Sequence, residues 1–305
     1  IASYCKKKFG KNVDIRIFKY VKNLESAIRE NPPNILGLSN YQWNFNLGLA
    51  FFELVKKLSP NTITVMGGPN VPHVSSEREE FLHNNPLIDF YVMNEGEAGF
   101  SNLVEKVFDV PDNIKKLKLN PVDGIVHQID SKEIIMGSML KRVKTLDEVP
   151  SPYLGGFLDE FFDGKLTPTV QTNRGCPFTC TFCDEGMSWW TKVNYFPLDV
   201  VKAELDYIGQ RAPGRIDDLR FTDSNFAMFE RDMEICEHVA KIRKDKNYPK
   251  IVLTSTGKNK KERIVEAAKV LGGAMDVRAS VQSMDIEVLK NIKRQNIDLE
   301  VIKDV

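Results

Sequence analysis

Short apolar runs alternate with amphipathic helical segments, first over residues 13–109 and again from residue 167 onward, and this alternation restricts the chain to the α/β class. In the first series the runs VDIRIF, ILGLS, TITVMGG and DFYVM are separated by KNLESAIREN, FNLGLAFFELVKKL and SSEREEFLHN. That order predicts a parallel sheet with helices on both faces, which receives ligands at the carboxyl ends of its strands. Near Val110 the pattern breaks: NPVDG is a turn signal, and two short alternating runs flank IDSKE, predicting a hairpin within a connecting segment.

The second series reads strand TPTVQT, a cysteine-bearing loop, helix PLDVVKAELDYIGQ, strand DDLRFTD, helix ERDMEICEHVAKIRKD, strand KIVLTST, helix KKERIVEAAKVLG, strand MDVRASVQ and helix IEVLKNIKR. Four such βα units build a doubly wound sheet or part of a barrel, and cannot close a barrel alone. The expected organisation is a Rossmann-like parallel-sheet domain over residues 1–110, a linker with a β-hairpin over 111–165, and a partial (β/α) barrel over 166–305. IASYCKKKFG reads as the second half of a helix ending at Gly10, and the chain stops soon after its fourth βα helix, so missing segments are expected at both ends.

Composition removes several functional classes. Lys plus Arg and Asp plus Glu both number 42, so net charge supplies no drive toward nucleic acid or anionic membranes, and no basic aromatic patch argues for nucleic acid. No run approaches the roughly 18 apolar residues of a membrane span, and the first residues lack a signal-peptide layout. Five cysteines, three of them in one short window, do not resemble a secreted disulfide framework. A soluble protein of the reducing cytoplasm is expected.

Those three are Cys176, Cys180 and Cys183 in RGCPFTCTFCD, spaced C-x3-C-x2-C on the loop after the first strand of the second series. Structural zinc takes four protein ligands, and the available fourth candidates, Cys236 and His238, both fall inside a helical run. A cubic [4Fe–4S] cluster has four iron corners, so three thiolates leave one iron open. The spacing, with Phe182 just before the last cysteine, resembles the radical S-adenosylmethionine (SAM) superfamily. The resemblance implies that the three cysteines hold the cluster and that the open iron chelates SAM, which one electron cleaves to a 5′-deoxyadenosyl radical. It places Phe182 near the adenine; loop packing is the alternative. FTDSNF resembles the acidic segment at the second strand end of cobalamin-linked members and implies Asp223 and Ser224 near the methionyl amine. VQSMDIEVLKNIKR resembles the fourth-strand segment of the family, with Met284 in place of the usual glycine, and implies ribose or carboxylate contacts for Gln282 and Ser283. Ser255, at the third strand end, joins this set, with a helix cap or a solvated hydroxyl as its alternative.

NILGLSNYQWN and TITVMGGPNV carry a second resemblance, to the cobalamin-binding domain of corrinoid enzymes. It implies that Ser39, Gly67 and Gly68 line the cleft for the cobalamin nucleotide tail, glycine allowing close approach of a bulky ligand. In EGEAGFSNLVEKV, Glu-Gly-Glu followed by a helix resembles the pattern at this place in cobalamin-domain radical enzymes, although Glu95 and Glu97 also suit a helix N-terminus. The Asp-x-His-x-x-Gly motif that supplies a cobalt ligand in related proteins does not occur. The two resemblances together imply a cobalamin-dependent radical SAM enzyme. Methyl transfer to an unactivated carbon of a small-molecule or biosynthetic-intermediate substrate is the leading expectation, with electrons from a flavodoxin or ferredoxin. The rivals are rearrangement, oxidation or methylthiolation, and a non-catalytic zinc- or corrinoid-binding module.

Overall fold

A computed structural model of the chain describes residues 1–111, 113–129, 133–257, 259–275, 277 and 281–294. It divides into two compact units, residues 1–142 and 143–305.

The first unit opens with α1 (Ala2–Phe9), which ends at Gly10 with φ +56°, followed by α2 (Val21–Glu30). Then come β1 (Ile35–Ser39), α3 (Phe45–Leu58), β2 (Ile63–Gly67), α4 (Ser75–Asn84), β3 (Phe90–Val92), α5 (Gly96–Asp109) and the short α6 (Ile114–Leu117). The hairpin β4 (Ile125–Gln128) and β5 (Ile134–Met136) completes a five-stranded sheet in the order β1-β2-β3-β4-β5. The first three strands are parallel, with Ser39 opposite Gly67 and Gly67 opposite Val92; β4 and β5 add on antiparallel. Because helices cover both faces, β2 is buried from Ile63 to Met66 and β3 along its whole length. On one face Leu36, Met66, Tyr91 and Val126 pack against Ile28, Phe51, Phe52, Val55 and Leu82; on the other Ile63, Val65, Phe90, Val92 and Ile125 pack against Leu103 and Leu117. Full burial of Phe52 and Val55 stabilises the docking of α3 by about 1.5–3 kcal/mol per side chain.

Two expectations meet a different outcome. VDIRIF alternates in exposure from Val13 to Ile17, yet it is in no strand, because period-two patterning shapes a segment without supplying a ladder partner. The hairpin expected in a connecting segment instead pairs with β3, Val92 facing Ile125, which carries the first unit on to Arg142.

In the second unit, β6 (Thr169–Val170), β9 (Asp218–Phe221) and β10 (Ile251–Leu253) form a parallel sheet in the order β10-β9-β6. A small antiparallel ribbon, β7 (Asn173–Arg174) and β8 (Asn194–Tyr195), brackets the cysteine loop. The helices α7 (Leu198–Arg211), α8 (Glu230–Lys246) and α9 (Lys261–Val270) cover the sheet, and α10 (Ile286–Asn291) follows. Val201, Leu205 and Ile208 of α7 and Ile235 and Val239 of α8 meet Val170, Leu219, Phe221 and Val252 in one core. Half of the fourth strand expected at MDVRASVQ lies outside the described residues; its first residue, Met275, bridges Val252 in parallel. Among the described residues no helix is long and apolar enough to cross a membrane.

Candidate functional site

The cysteine loop leaves the carboxyl end of β6 through β7, and two glycines set its path. A Cβ on Gly175, at φ +109°, would lie 2.5 Å from the Lys192 carbonyl oxygen and 2.6 Å from that of Trp190. A Cβ on Gly186 would lie 2.1 Å from the Cys180 carbonyl oxygen. Only glycine allows these backbone approaches. They are closed by hydrogen bonds from Cys176 N to Trp190 O (2.9 Å), Cys183 N to Cys180 O (3.2 Å) and Gly186 N to Cys183 O (2.9 Å).

Cys176 and Cys180 are buried in this fold of the loop, Cys183 is exposed, and none of the five cysteines forms a disulfide. Among the described residues no three His, Cys, Asp or Glu side chains converge as a ready metal site. The loop therefore carries the donor set, with two thiols inside and the third at its outer lip. Both expected fourth ligands for zinc are engaged elsewhere. Cys236 is sealed in the core, and burial, followed by the Asp232 and Glu237 charges, pushes its thiol up to about 12. His238 places Nε2 2.8 Å from Asp206 Oδ1. Three soft sulfur donors with no fourth protein ligand beside them among the described residues fit a cluster with one open iron better than tetrahedral zinc.

The parallel order of β6, β9 and β10 brings the cysteine loop, FTDSNF and Ser255 to one sheet edge. Asp223 is 2% exposed and faces β6 rather than solvent. Its Oδ1 accepts from Thr172 N (2.7 Å) and Asn173 N (3.3 Å); its Oδ2 accepts from Asn173 Nδ2 (3.0 Å) and the Thr172 hydroxyl. Burial pushes this carboxyl up to about 7, against the pull of the Thr172 and Asn173 donors, and the nearby Asp232 charge adds to the rise. In this position Asp223 bolts the end of β9 to the segment that launches the cysteine loop.

Ser224 is half-buried beside it. Ser255 is exposed, and its carbonyl accepts from Phe226 N at 2.9 Å. Phe182 is exposed at the lip of the loop. Gln282 is exposed, and half-buried Ser283 accepts from Asp285 N at 3.0 Å, just ahead of α10. The sequence reading stopped one residue short of Asn225, which is buried and donates from Nδ2 to Cys176 Sγ at 3.2 Å. Its only signal was its place in FTDSNF, directly after the two residues already singled out.

In the first unit Ser39, Gly67 and Gly68 come together at the carboxyl ends of β1 and β2. Ser39 is exposed, and its Oγ accepts from Asn44 Nδ2 at 3.0 Å. Gly68 has φ +134°, and a Cβ there would meet the Asn40 carbonyl oxygen at 2.6 Å; one on Gly67 would meet Val92 Cβ at 3.3 Å. Gly68 is therefore required first by the close approach of the two loops, and Gly67 sits tightly against Val92 of β3. Asn40, fully buried, locks them: its N donates to Gly67 O (2.7 Å), and its Nδ2 donates to Asn70 O (2.9 Å) and Tyr91 Oη (3.0 Å). Tyr91 Oη in turn donates to Gly68 O at 2.8 Å. Neither Asn40 nor Tyr91 stood out in the sequence, because each works through contacts far along the chain. Glu95 immediately precedes α5 with Arg142 Nε 3.7 Å from its Oε1, and Glu97 is buried in the first turn.

Comparison with known proteins sets these two edges in a family. A model of the B12 binding domain matches residues 1–104, and a model of the radical SAM superfamily matches residues 170–305. The chain belongs to the radical SAM superfamily. Its B12-binding domain precedes the radical SAM domain, and this composition implies a [4Fe–4S] cluster, SAM and cobalamin as cofactors. The chain is 32% identical over 286 residues to 2-(S-pantetheinyl)-carbapenam-3-carboxylate methyltransferase of Streptantibioticus cattleyicolor, covering 90% of this chain and 40% of that protein. It is 31% identical over 278 residues to the cobalamin-dependent radical SAM methyltransferase TokK of Streptomyces tokunonensis, covering 88% of this chain and 39% of TokK. This radical SAM chain thus spans about 40% of the length of the curated relatives it matches. The solved structure of the radical SAM methyltransferase TsrM from Kitasatospora setae shares the fold, with a TM-score of 0.66 at 13% identity over 100% of this chain and 62% of that one.

Proposed function

We propose that this chain is the cofactor-binding portion of a cobalamin-dependent radical SAM methyltransferase that acts on an unactivated carbon of a small-molecule or biosynthetic-intermediate substrate. One observation carries the reading: a B12-binding domain and a radical SAM domain stand in this order in a chain that aligns to two methyltransferases over 90% and 88% of its length. When bound, the cluster supplies the electron that cleaves SAM, and cobalamin supplies the methyl group.

The chain's own residues bind and orient. Cys176, Cys180 and Cys183 hold the cluster, and Gly175 and Gly186 let the loop fold tightly enough to turn two thiols inward. Ser224, Ser255, Gln282 and Ser283 present hydroxyl and amide groups to SAM, and Phe182 offers its ring to the adenine. Asp223 acts one step back, fixing the strand ends through Thr172 and Asn173. In the first unit Ser39 and the glycine edge at Gly67 and Gly68 receive the corrinoid tail, kept in register by Asn40 and Tyr91. The cluster needs a one-electron donor such as flavodoxin or ferredoxin, and a reducing cytoplasm suits both.

The test is the full-length protein purified without oxygen in the presence of hydroxocobalamin. Four irons with matching sulfide, an electron paramagnetic resonance signal perturbed by SAM, a retained corrinoid spectrum, and S-adenosylhomocysteine forming together with 5′-deoxyadenosine are the expected results. One zinc without sulfide, or no retained corrinoid, would sink it.

A further inference from the structure

Asn225 is a buried side chain aimed at the cysteine loop from outside it, and its placement is over-determined. Two residues before it, Asp223 is tied to Thr172 and Asn173. One residue after it, Phe226 N donates to Ser255 O at 2.9 Å, and the Phe226 ring, fully buried, stacks on Phe221 at 4.2 Å. Ala227 then takes φ +63°, a left-handed turn that a non-glycine residue adopts only under constraint from its surroundings. The partner is equally fixed. Cys176 follows Gly175, whose path leaves no room for a Cβ, and Cys176 N is held by Trp190 O. An amide on one rigid strand end therefore meets a sulfur on a rigid loop, with Nδ2 to Sγ 3.2 Å and both residues 5% exposed or less. The other end of the amide, Oδ1, is buried without a hydrogen-bond partner, which costs stability and so argues against a purely structural role for the side chain.

We propose that Asn225 sets the reduction potential of the cluster by donating a hydrogen bond to the Cys176 thiolate. The inference rests on the assignment of the cluster to Cys176, Cys180 and Cys183. Reduction adds one electron, from the external one-electron donor, and makes no bond; the added negative charge spreads onto the ligand sulfurs. A donor fixed in a buried site stabilises that charge without having to reorganise, so it raises the potential and makes the cluster easier to reduce. Asn225 is a positioning residue here, acting through Cys176.

The experiment is a redox titration of the reconstituted full-length protein, monitored by electron paramagnetic resonance, with iron and sulfide counted in every sample. Asn225→Ala and Asn225→Ser should keep the wild-type iron and sulfide content and show a lower midpoint potential, with the reduced-to-oxidised ratio at a fixed poise falling about three- to tenfold, the scale of one typical net hydrogen bond. A full cluster with an unchanged potential in both variants overturns the inference and leaves the cluster assignment standing. No cluster in the wild type overturns both. If the variants lose the cluster, wild-type protein labelled with 15N at asparagine side chains decides: pulsed measurement on the reduced cluster should show a 15N coupling, and its absence overturns the inference.

Discussion

Asp223 offers the sharpest test of how the radical SAM unit is held together. Its carboxyl, 2% exposed, is pushed up to about 7 by burial, whereas in the unfolded chain it titrates near its ordinary value of about 4. Between those values the folded protein binds a proton that the unfolded chain has released. The resulting stabilisation is fully present below about pH 4, declines by about 1.4 kcal/mol per pH unit, and is lost as pH rises through about 7. The whole effect is on the order of 4 kcal/mol, of which about 2–3 kcal/mol falls between pH 5 and pH 8. Asp223→Asn removes the titration. It also turns one acceptor into an amide that opposes the donors on Thr172 and Asn173, at about 1–3 kcal/mol for each donor left unsatisfied. The variant should therefore be less stable than wild type at pH 5, and the gap should narrow by about 2–3 kcal/mol toward pH 8. Urea unfolding followed through Trp189 and Trp190, in the same unit, reads this directly. An equal gap at both pH values would show that the carboxyl is ionised throughout, and that its four donors outweigh burial.

Other perturbations address the remaining features. Gly186→Ala places a Cβ 2.1 Å from the Cys180 carbonyl oxygen, so the turn must open, and iron and sulfide per chain after anaerobic reconstitution should fall severalfold; Gly37→Ala, in β1 of the first unit, where the Cβ meets nothing nearer than the Phe100 ring at 3.4 Å, should leave them unchanged. Gly68→Ala pushes against the Asn40 backbone and should weaken corrinoid retention in the visible spectrum without loss of the cluster. Asp89 is buried, which raises its carboxyl, but Lys118 and Lys56, at 2.9 and 2.6 Å, more than offset this and hold it below the usual range. Its contribution is present above the ordinary carboxylate value and is lost as pH falls through the depressed one. Asp89→Asn strands two ammonium groups and should cost the first unit about 3–5 kcal/mol at pH 7 in a denaturant titration.

By itself the sequence determined the class of fold, most of its elements and the cysteine loop. FNLGLAFFELVKKL runs the full length of α3, because apolar spacing and helical periodicity are local properties written within a single segment. Three cysteines on one loop were legible for the same reason. Tertiary structure decided what depends on partners distant in the chain. VDIRIF has the pattern of a strand and no ladder, while the hairpin found its place against β3. Gly68 proved to be demanded by the Asn40 backbone, and Asp223 turned inward to residues 50 and 51 positions away. Asn225 meets Cys176 across 49 positions. Hydrogen bonds of that span leave no period in a sequence; they exist only once the parallel strands have brought their carboxyl ends to a common edge.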